Sequence, residues 1–443
     1  MKETEGQALK QHALGIVARL NEAGFEAYFV GGCVRDELLG RPVKDYDIAT
    51  SARPEQVEAL FQRTVPTGLQ HGTVTVVVHR QPFEVTTFRK EGDYSDYRRP
   101  HSVEYIDSLH EDLQRRDFTM NAMAMDLNGR LIDPFGGQAD LERGILRCVG
   151  SAQERFSEDA LRMLRCIRFA AEYGLKPESG TWLALLGAAP LLRHIAMERI
   201  RAELERMLTG SDPSGAMLLL KDCRLLAHTK EKLCWARLDE IDSVGELDLR
   251  KLTRLEDRLA YLYLKLGAGQ GDYDTDMRKL TFAKKQIEEV GRIVEANAWL
   301  MHELAAYTVR DAGEPSHEAR ELWVEAALRY GIDGLQTLRT IYKLDRNIRH
   351  AAGTDTVTHP IFTEWIRHGE AWLAEMPVAR LRDLAVTGQE VLEALQGKAG
   401  PWTGKLLQAL LRQAALGSLP NRKEALIQAA RELYGEMQEK GIR

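Results

Sequence analysis

Strand signal is confined to the first third of this chain. β-Branched alternation in TVTVVVH (73–79) and PFEVTTF (82–88), and the short run FEAYFV (25–30), all lie within residues 1–150. From 151 onward only helical periods recur, as in EDALRMLRCIRFAAEYGL (158–175) and KKQIEEVGRIVEANAWLMHELAA (284–306). A chain patterned this way predicts an α+β fold, a mixed sheet with helices at the N-terminal end followed by an all-helical remainder. Its 443 residues exceed one ordinary core. We place a head at 1–150, a neck at 151–212, a body at 213–330 and a tail at 331–443, the last two divided where helical patterns are interrupted.

Composition removes several classes. No run approaches the roughly 18 to 20 apolar residues of a membrane span, and MKETEGQALKQH lacks the apolar stretch of a secretory signal, so a cytoplasmic protein is expected. The five cysteines are scattered without a CxxC pair, and none of the twelve histidines stands in HExxH or precedes Asp, which gives no cue for a zinc site. A net charge of −6 argues against coating nucleic acid non-specifically and leaves room for a local basic groove.

Within the head, residues 28–50 read YFVGGCVRDELLGRPVKDYDIAT. The pattern predicts a strand ending at Gly31 and Gly32, a short helix over 33–39 and a second strand over 44–50. On a strand, Asp45 and Asp47 share one face while Tyr46 and Ile48 take the other. Two carboxylates so close repel unless a cation lies between them. Mg²⁺ suits such a pair, because it combines a few carboxylates with water and substrate phosphates. Gly31 and Gly32 open the helix with exposed N–H groups and no side chain to hold a triphosphate away, and Arg35 adds positive charge. Glu84, on the second strand of the 73–88 hairpin, is the candidate third carboxylate; a half-exposed strand residue reads the same way. A lone DxD is more often a solvated strand edge, so it is the strand–turn–helix–strand order that points to phosphoryl or nucleotidyl transfer.

The stretch resembles motif A of the class II tRNA nucleotidyltransferases, a family that includes bacterial poly(A) polymerases and has a polymerase-β-like nucleotidyltransferase head. LQRRDFTMNAMA (113–124) is similar to its ribose-handling motif, EDALRMLRCIRFA (158–170) to its nucleobase-selecting helix and IRAELERMLTG (200–210) to the motif closing the neck. The resemblance implies metal binding at Asp45 and Asp47, with Glu84 close by. It implies ribose and triphosphate contacts at Asp112, Arg115, Arg116, Asp117 and Asn121, and base reading at Asp159 and Arg162, with Arg165 and Arg168 further along the nucleotide-binding helix. The substrates it implies are tRNA, CTP and ATP.

The base-reading pair also has a physical rationale. Three apart on a helix, Asp159 and Arg162 share a face and offer an acceptor beside a fork of donors. Cytosine and adenine carry an exocyclic amine next to an unprotonated ring nitrogen and match it; uracil and guanine have the opposite order. A plain surface ion pair is the bland alternative.

Three further segments bear on the sub-function. TGLQHGTVTVVV (67–78) resembles the CCA-adding type, and the GRRF-like element of poly(A) polymerases is absent. TTFRKEGDYSDYRRPHSVEY (86–105) resembles a mobile loop found in complete CCA-adding and A-adding enzymes; its Arg98 and Arg99 are candidates for template or RNA contact, or are solvated charges. Residues 382–426 resemble the tail of bacterial CCA-adding enzymes, where Lys398, Lys405 and Arg412 could meet an RNA backbone. The expected reaction is addition of CCA to tRNA, with A addition alone or poly(A) synthesis as alternatives. A tRNA-binding protein with a dead head is less consistent with three retained carboxylates.

Overall fold

A computed structural model describes residues 2–91, 103–241, 249–306, 315–346, 348 and 359–439. They fall into two units, Met1–Asp239 and Glu240–Arg443.

The first unit opens with α1 (Lys2–Glu22), which buries Ala13, Ile16, Val17 and Leu20 at a helical period and packs on β1 (Ala27–Val30). Gly31, at φ +72° and ψ −123°, turns the chain into α2 (Gly32–Leu38). A side chain at that position would be strained. β2 (Ile48–Thr50) pairs antiparallel with β1, with Phe29 opposite Ile48. It is shorter than the strand expected over 44–50. Asp45 and Asp47 lie in the segment leading into it, although the alternation persists: Tyr46 and Ile48 are buried, and the Val30 N–H still donates to the Asp47 carbonyl at 3.0 Å.

After α3 (Pro54–Leu60), β3 (Thr64–Gly68), β4 (Thr73–Val78) and β5 (Gln81–Thr87) form a meander. The β4–β5 turn falls at His79 and Arg80, both left-handed at φ 48° and 68°, one residue earlier than the sequence suggested. β5 runs parallel to β2, with Ile48 opposite Val85. A separate ribbon joins β6 (Arg89–Glu91) to β7 (Val103–Tyr105) at the root of the 86–105 loop. Arg98 and Arg99 lie outside the described residues. Following α4 (Leu109–Gln114), β8 (Ala124–Met125) and β9 (Leu131–Ile132) complete a mixed sheet of order β3-β4-β5-β2-β1-β8-β9. Val30, Ala49, Phe88, Leu113 and Ala124 share one core cluster of the head.

Past α5 (Gly137–Glu142) the unit is helical: α6 (Ala152–Glu158), α7 (Leu161–Tyr173), α8 (Ser179–Ala188), α9 (Met197–Thr209) and α10 (Pro213–Cys223). α7 packs against both α9 and α10 and buries Met163, Leu164, Cys166 and Ile167 completely. The second unit comprises α11 (Leu255–Lys265), α12 (Gln270–Lys279), α13 (Lys284–Ala306), α14 (Pro315–Tyr330), α15 (Ile332–Leu344), α16 (Pro360–Ala374), α17 (Gly388–Ala394), α18 (Pro401–Ala415) and α19 (Lys423–Glu439). Trp323 and Trp365 stack at 5.7 Å between α14 and α16, and a Cβ at Gly369 would come within 2.8 Å of the Trp323 indole nitrogen. The α+β class read from the strand distribution is the class of this fold.

Candidate active site

The sheet and α7 flank a cavity of about 970 Å³. Its acidic wall comes from β5 and from the segment leading into the neighbouring β2. In the parallel β2–β5 pair, buried Ile48 lies opposite buried Val85. The residue before each, Asp47 and Glu84, therefore faces the other way, into the cavity, where Asp45 joins them. Burial, then repulsion from Asp45 and Glu84, pushes the Asp47 carboxyl up to about 6, against an opposing pull from Arg116. The donors on this wall are all oxygens, the ligand set of a hard cation. No group of three or more His, Cys, Asp or Glu among the described residues is placed to hold a metal alone.

The opposite wall is basic and ordered. Arg35 is buried; its Nη1 donates to Asn121 Oδ1 at 2.5 Å, and its guanidinium lies 4.2 Å from the Tyr173 ring centroid. Asn121 Nδ2 donates in turn to Asp117 Oδ1 at 3.0 Å, and Arg165 donates to Asp117 Oδ2 through Nε at 2.8 Å. Burial alone would raise the Asp117 carboxyl, but Arg165, the Asn121 amide and Arg162 hold it down at about 2. Asp112 stands behind the cavity. Burial works against its charge, yet Arg115 and Arg116 hold its carboxyl below the usual range. It accepts from Arg115 Nη2 at 2.8 Å, from Arg116 Nη2 at 3.3 Å and from the Arg89 N–H, next to the loop root, at 3.3 Å. It thus orients two arginines that line the cavity. A Cβ at Gly31 would stand 2.9 Å from Arg116 Nη1, the end of a side chain that would have to shift, so it is the turn at φ +72° that calls for glycine here.

Asp159 and Arg162 both line the cavity, but not as two residues on one helical face. Asp159 lies in the break between α6 and α7, with extended backbone (φ −137°, ψ 103°), and its carbonyl accepts the Arg162 N–H at 3.0 Å. Its Oδ1 accepts the Leu161 N–H at 3.0 Å, as an N-cap residue does. A carboxylate prefers to cap a helix rather than continue one, which explains why the break occurs there. Arg162 is 8% exposed and donates to Glu158 Oε2 at 2.6 Å and to the Arg115 carbonyl at 3.0 Å. Arg165 reaches the cavity; Arg168 instead lies behind it, donating to Glu203 Oε2 at 2.7 Å.

Three residues of α9 that the sequence did not single out also line the cavity: Arg199, Glu203 and Arg206. Their spacing of four and three was the available signal, a charged stripe on a helix whose Ile200, Leu204 and Met207 are buried. Arg199 donates to both oxygens of Asp159, at 2.8 and 3.3 Å.

In the second unit, Lys398 and Lys405 are exposed. Arg412 is paired with Glu321 at 3.5 Å and Glu325 at 3.3 Å, so its charge is already engaged by α14. No described helix is long and apolar enough to cross a membrane.

Comparison with known proteins agrees with this arrangement. Residues 27–147 match the poly(A) polymerase head domain, 174–233 the RNA- and SrmB-binding region of polymerase A, and 250–430 domain 2 of the tRNA nucleotidyltransferases. The CCA-adding enzyme of Geobacillus stearothermophilus is 39% identical over 421 residues, 94% of this chain and 95% of that one. The crystal structure of the Bacillus stearothermophilus CCA-adding enzyme in complex with CTP has a TM-score of 0.77 at 36% identity, covering 97% of this chain and 98% of that one. The Thermotoga maritima CCA-adding enzyme complexed with tRNA, 20% identical with a TM-score of 0.59 over 95% and 94% of the two chains, shares the fold. Three carboxylates facing an arginine wall, on a head and helical remainder matched along nearly their whole length, leave one assignment: the chain belongs to the family of CCA-adding enzymes, metal-dependent nucleotidyltransferases that act on tRNA.

Proposed function

We propose that this chain adds C, C and A in turn to the 3′ end of tRNA from CTP and ATP, releasing pyrophosphate, with Mg²⁺ as the working ion. The observation that carries this reading is the meeting, in one cavity, of Asp45, Asp47 and Glu84 with Arg115, Arg116 and the Asp159–Arg162 pair. Magnesium on Asp45 and Asp47 would supply Lewis acidity to the attacking hydroxyl and the leaving phosphate. Arg115 and Arg116, held in place by Asp112, take the triphosphate. Gly31 and Gly32 let it approach the backbone, and Asn121 and Asp117 order the floor beneath the ribose. The tRNA 3′-hydroxyl oxygen gives its proton to water and forms a bond to the α-phosphorus, as the bond from that phosphorus to the bridging oxygen breaks and pyrophosphate leaves with the electron pair. Asp159 accepts from the exocyclic amine of cytosine or adenine, and Arg162 donates to the adjacent ring nitrogen. Lys398, just ahead of α18, and Lys405, on it, grip the tRNA far along the chain from the chemistry. Action on tRNA makes the cytoplasm the natural compartment.

The test is incorporation of single labelled nucleotides, then CTP with ATP, into tRNA ending at the discriminator base and tRNA ending in CC. Two C's and then one A on the first substrate is the expected result. A added only to CC-ended tRNA makes the chain an A-adding enzyme, and a long A ladder on any RNA makes it a poly(A) polymerase.

A further inference from the structure

An aspartate and an arginine three residues apart at the start of a helix are well placed to pair with each other. A base-reading pair that did so would satisfy its own hydrogen bonds and present nothing to a nucleotide. Here each turns to a different partner. Asp159 takes the Arg199 guanidinium, offered from α9, while Arg162 takes Glu158 on α6 together with the carbonyls of Arg155 and Arg115 at 3.2 and 3.0 Å.

We infer that Arg199 is a specificity-determining positioning residue: it holds the Asp159 carboxylate in a fixed plane, turned away from Arg162, so that the carboxylate keeps one acceptor position for an incoming base. The inference rests on the base-reading role proposed above for Asp159. A carboxylate offers about four acceptor positions, two on each oxygen. Oδ1 accepts from the Leu161 N–H and from Arg199 Nη1, and Oδ2 accepts from Arg199 Nη2. One position remains, on Oδ2. The exocyclic amine of C or A takes it, and because the fork fixes the plane of the carboxylate, the direction of that position is fixed as well. A carbonyl oxygen, which U or G presents at the same place, meets only another acceptor. Without the fork, Asp159 is released to rotate about its side-chain bonds toward Arg162, and both reading groups are lost together.

The experiment measures kcat and KM for CTP, ATP, UTP and GTP separately on wild type, Arg199→Gln, Arg199→Lys and Asp159→Ala, with thermal melting of each. Arg199→Gln should lower the preference for C over U and for A over G by about tenfold or more, the scale of one misaligned charge-assisted hydrogen bond. Most of the loss should fall on KM for the correct nucleotides. Arg199→Lys, which keeps the charge and loses the fork, should fall between it and wild type. Equal loss on all four nucleotides with the preference intact, or no loss in either variant, overturns the inference. If Arg199→Gln melts below the assay temperature, the lysine variant decides alone: a wild-type preference overturns the inference, a reduced one supports it. Strict C and A choice in Asp159→Ala would instead overturn the base-reading assignment itself.

Discussion

Replacing Asp47 by asparagine should stabilise the protein in metal-free buffer while abolishing nucleotide incorporation. The Asp47 carboxyl titrates at about 6, raised from 3.8 by burial and then by Asp45 and Glu84. The folded state therefore binds this proton more tightly than the unfolded state does. Its contribution to stability is complete below pH 3.8 and is lost as the pH rises through about 6. At pH 8 the loss amounts to at most about 3 kcal/mol, and partial solvent screening reduces it. Asparagine has nearly the same shape and no charge, so it escapes the loss. For a unit of this size, 2 kcal/mol corresponds to a melting shift of about 4–8 °C. The assay is thermal unfolding of both proteins with EDTA at pH 4.5 and pH 8. The variant should melt several degrees higher at pH 8, the gap should shrink at pH 4.5, and excess Mg²⁺ should raise the wild type more than the variant. A variant no more stable than wild type at pH 8, or a gap of equal size at both pH values, would refute the claim that these carboxylates are held against their own repulsion.

Asp117→Asn should act in the opposite sense, destabilising by about 3 kcal/mol or more by leaving the Arg165 charge without its partner. Because the Asp117 carboxyl is held down at about 2, this difference should persist through neutral pH and close only as the pH falls from about 4 toward 2, which urea unfolding across pH will show. Gly31→Ala, which forces a Cβ to within 2.9 Å of Arg116 at φ +72°, should lower stability by about 1–3 kcal/mol and raise KM for CTP and ATP alike; unequal effects would contradict a shared triphosphate site. Lys398→Glu with Lys405→Glu should weaken tRNA binding and flatten its salt dependence by about two phosphate contacts while leaving KM for CTP unchanged. Arg412→Gln, by contrast, should lower the melting temperature with little effect on tRNA affinity, since Arg412 is paired with Glu321 and Glu325.

What could be read from the sequence follows the range of the interactions involved. Gly31, Gly32, Asp45 and Asp47 lie within one short stretch, so local geometry alone brings them together, and the alternation around Tyr46 and Ile48 gave their direction even though the strand proper begins only at Ile48. Glu84 was a candidate because the β4–β5 hairpin is locally encoded; the parallel pairing that sets it beside Asp47 is not. The helix break at Asp159 was missed because the apolar period runs through it, and nothing in that period reports that Arg199, 40 residues on, binds the carboxylate. Charge in a sequence does not disclose its partner: Glu203 engages Arg168, and Glu321 and Glu325 lie beside Arg412.

The cavity is built by two parts of the chain with different rules of folding. On the roles proposed above, carboxylates beside the sheet supply the reaction, and a turn between two helices supplies the choice of letter. On those roles, a substitution near Asp159 would change what is written without changing how a bond is made, and one near Asp47 would silence the enzyme without altering what it recognises. For a lineage this means that the alphabet of the tRNA end and the machinery that writes it can drift separately, and that a catalytically silent descendant would still be able to tell C and A from U and G.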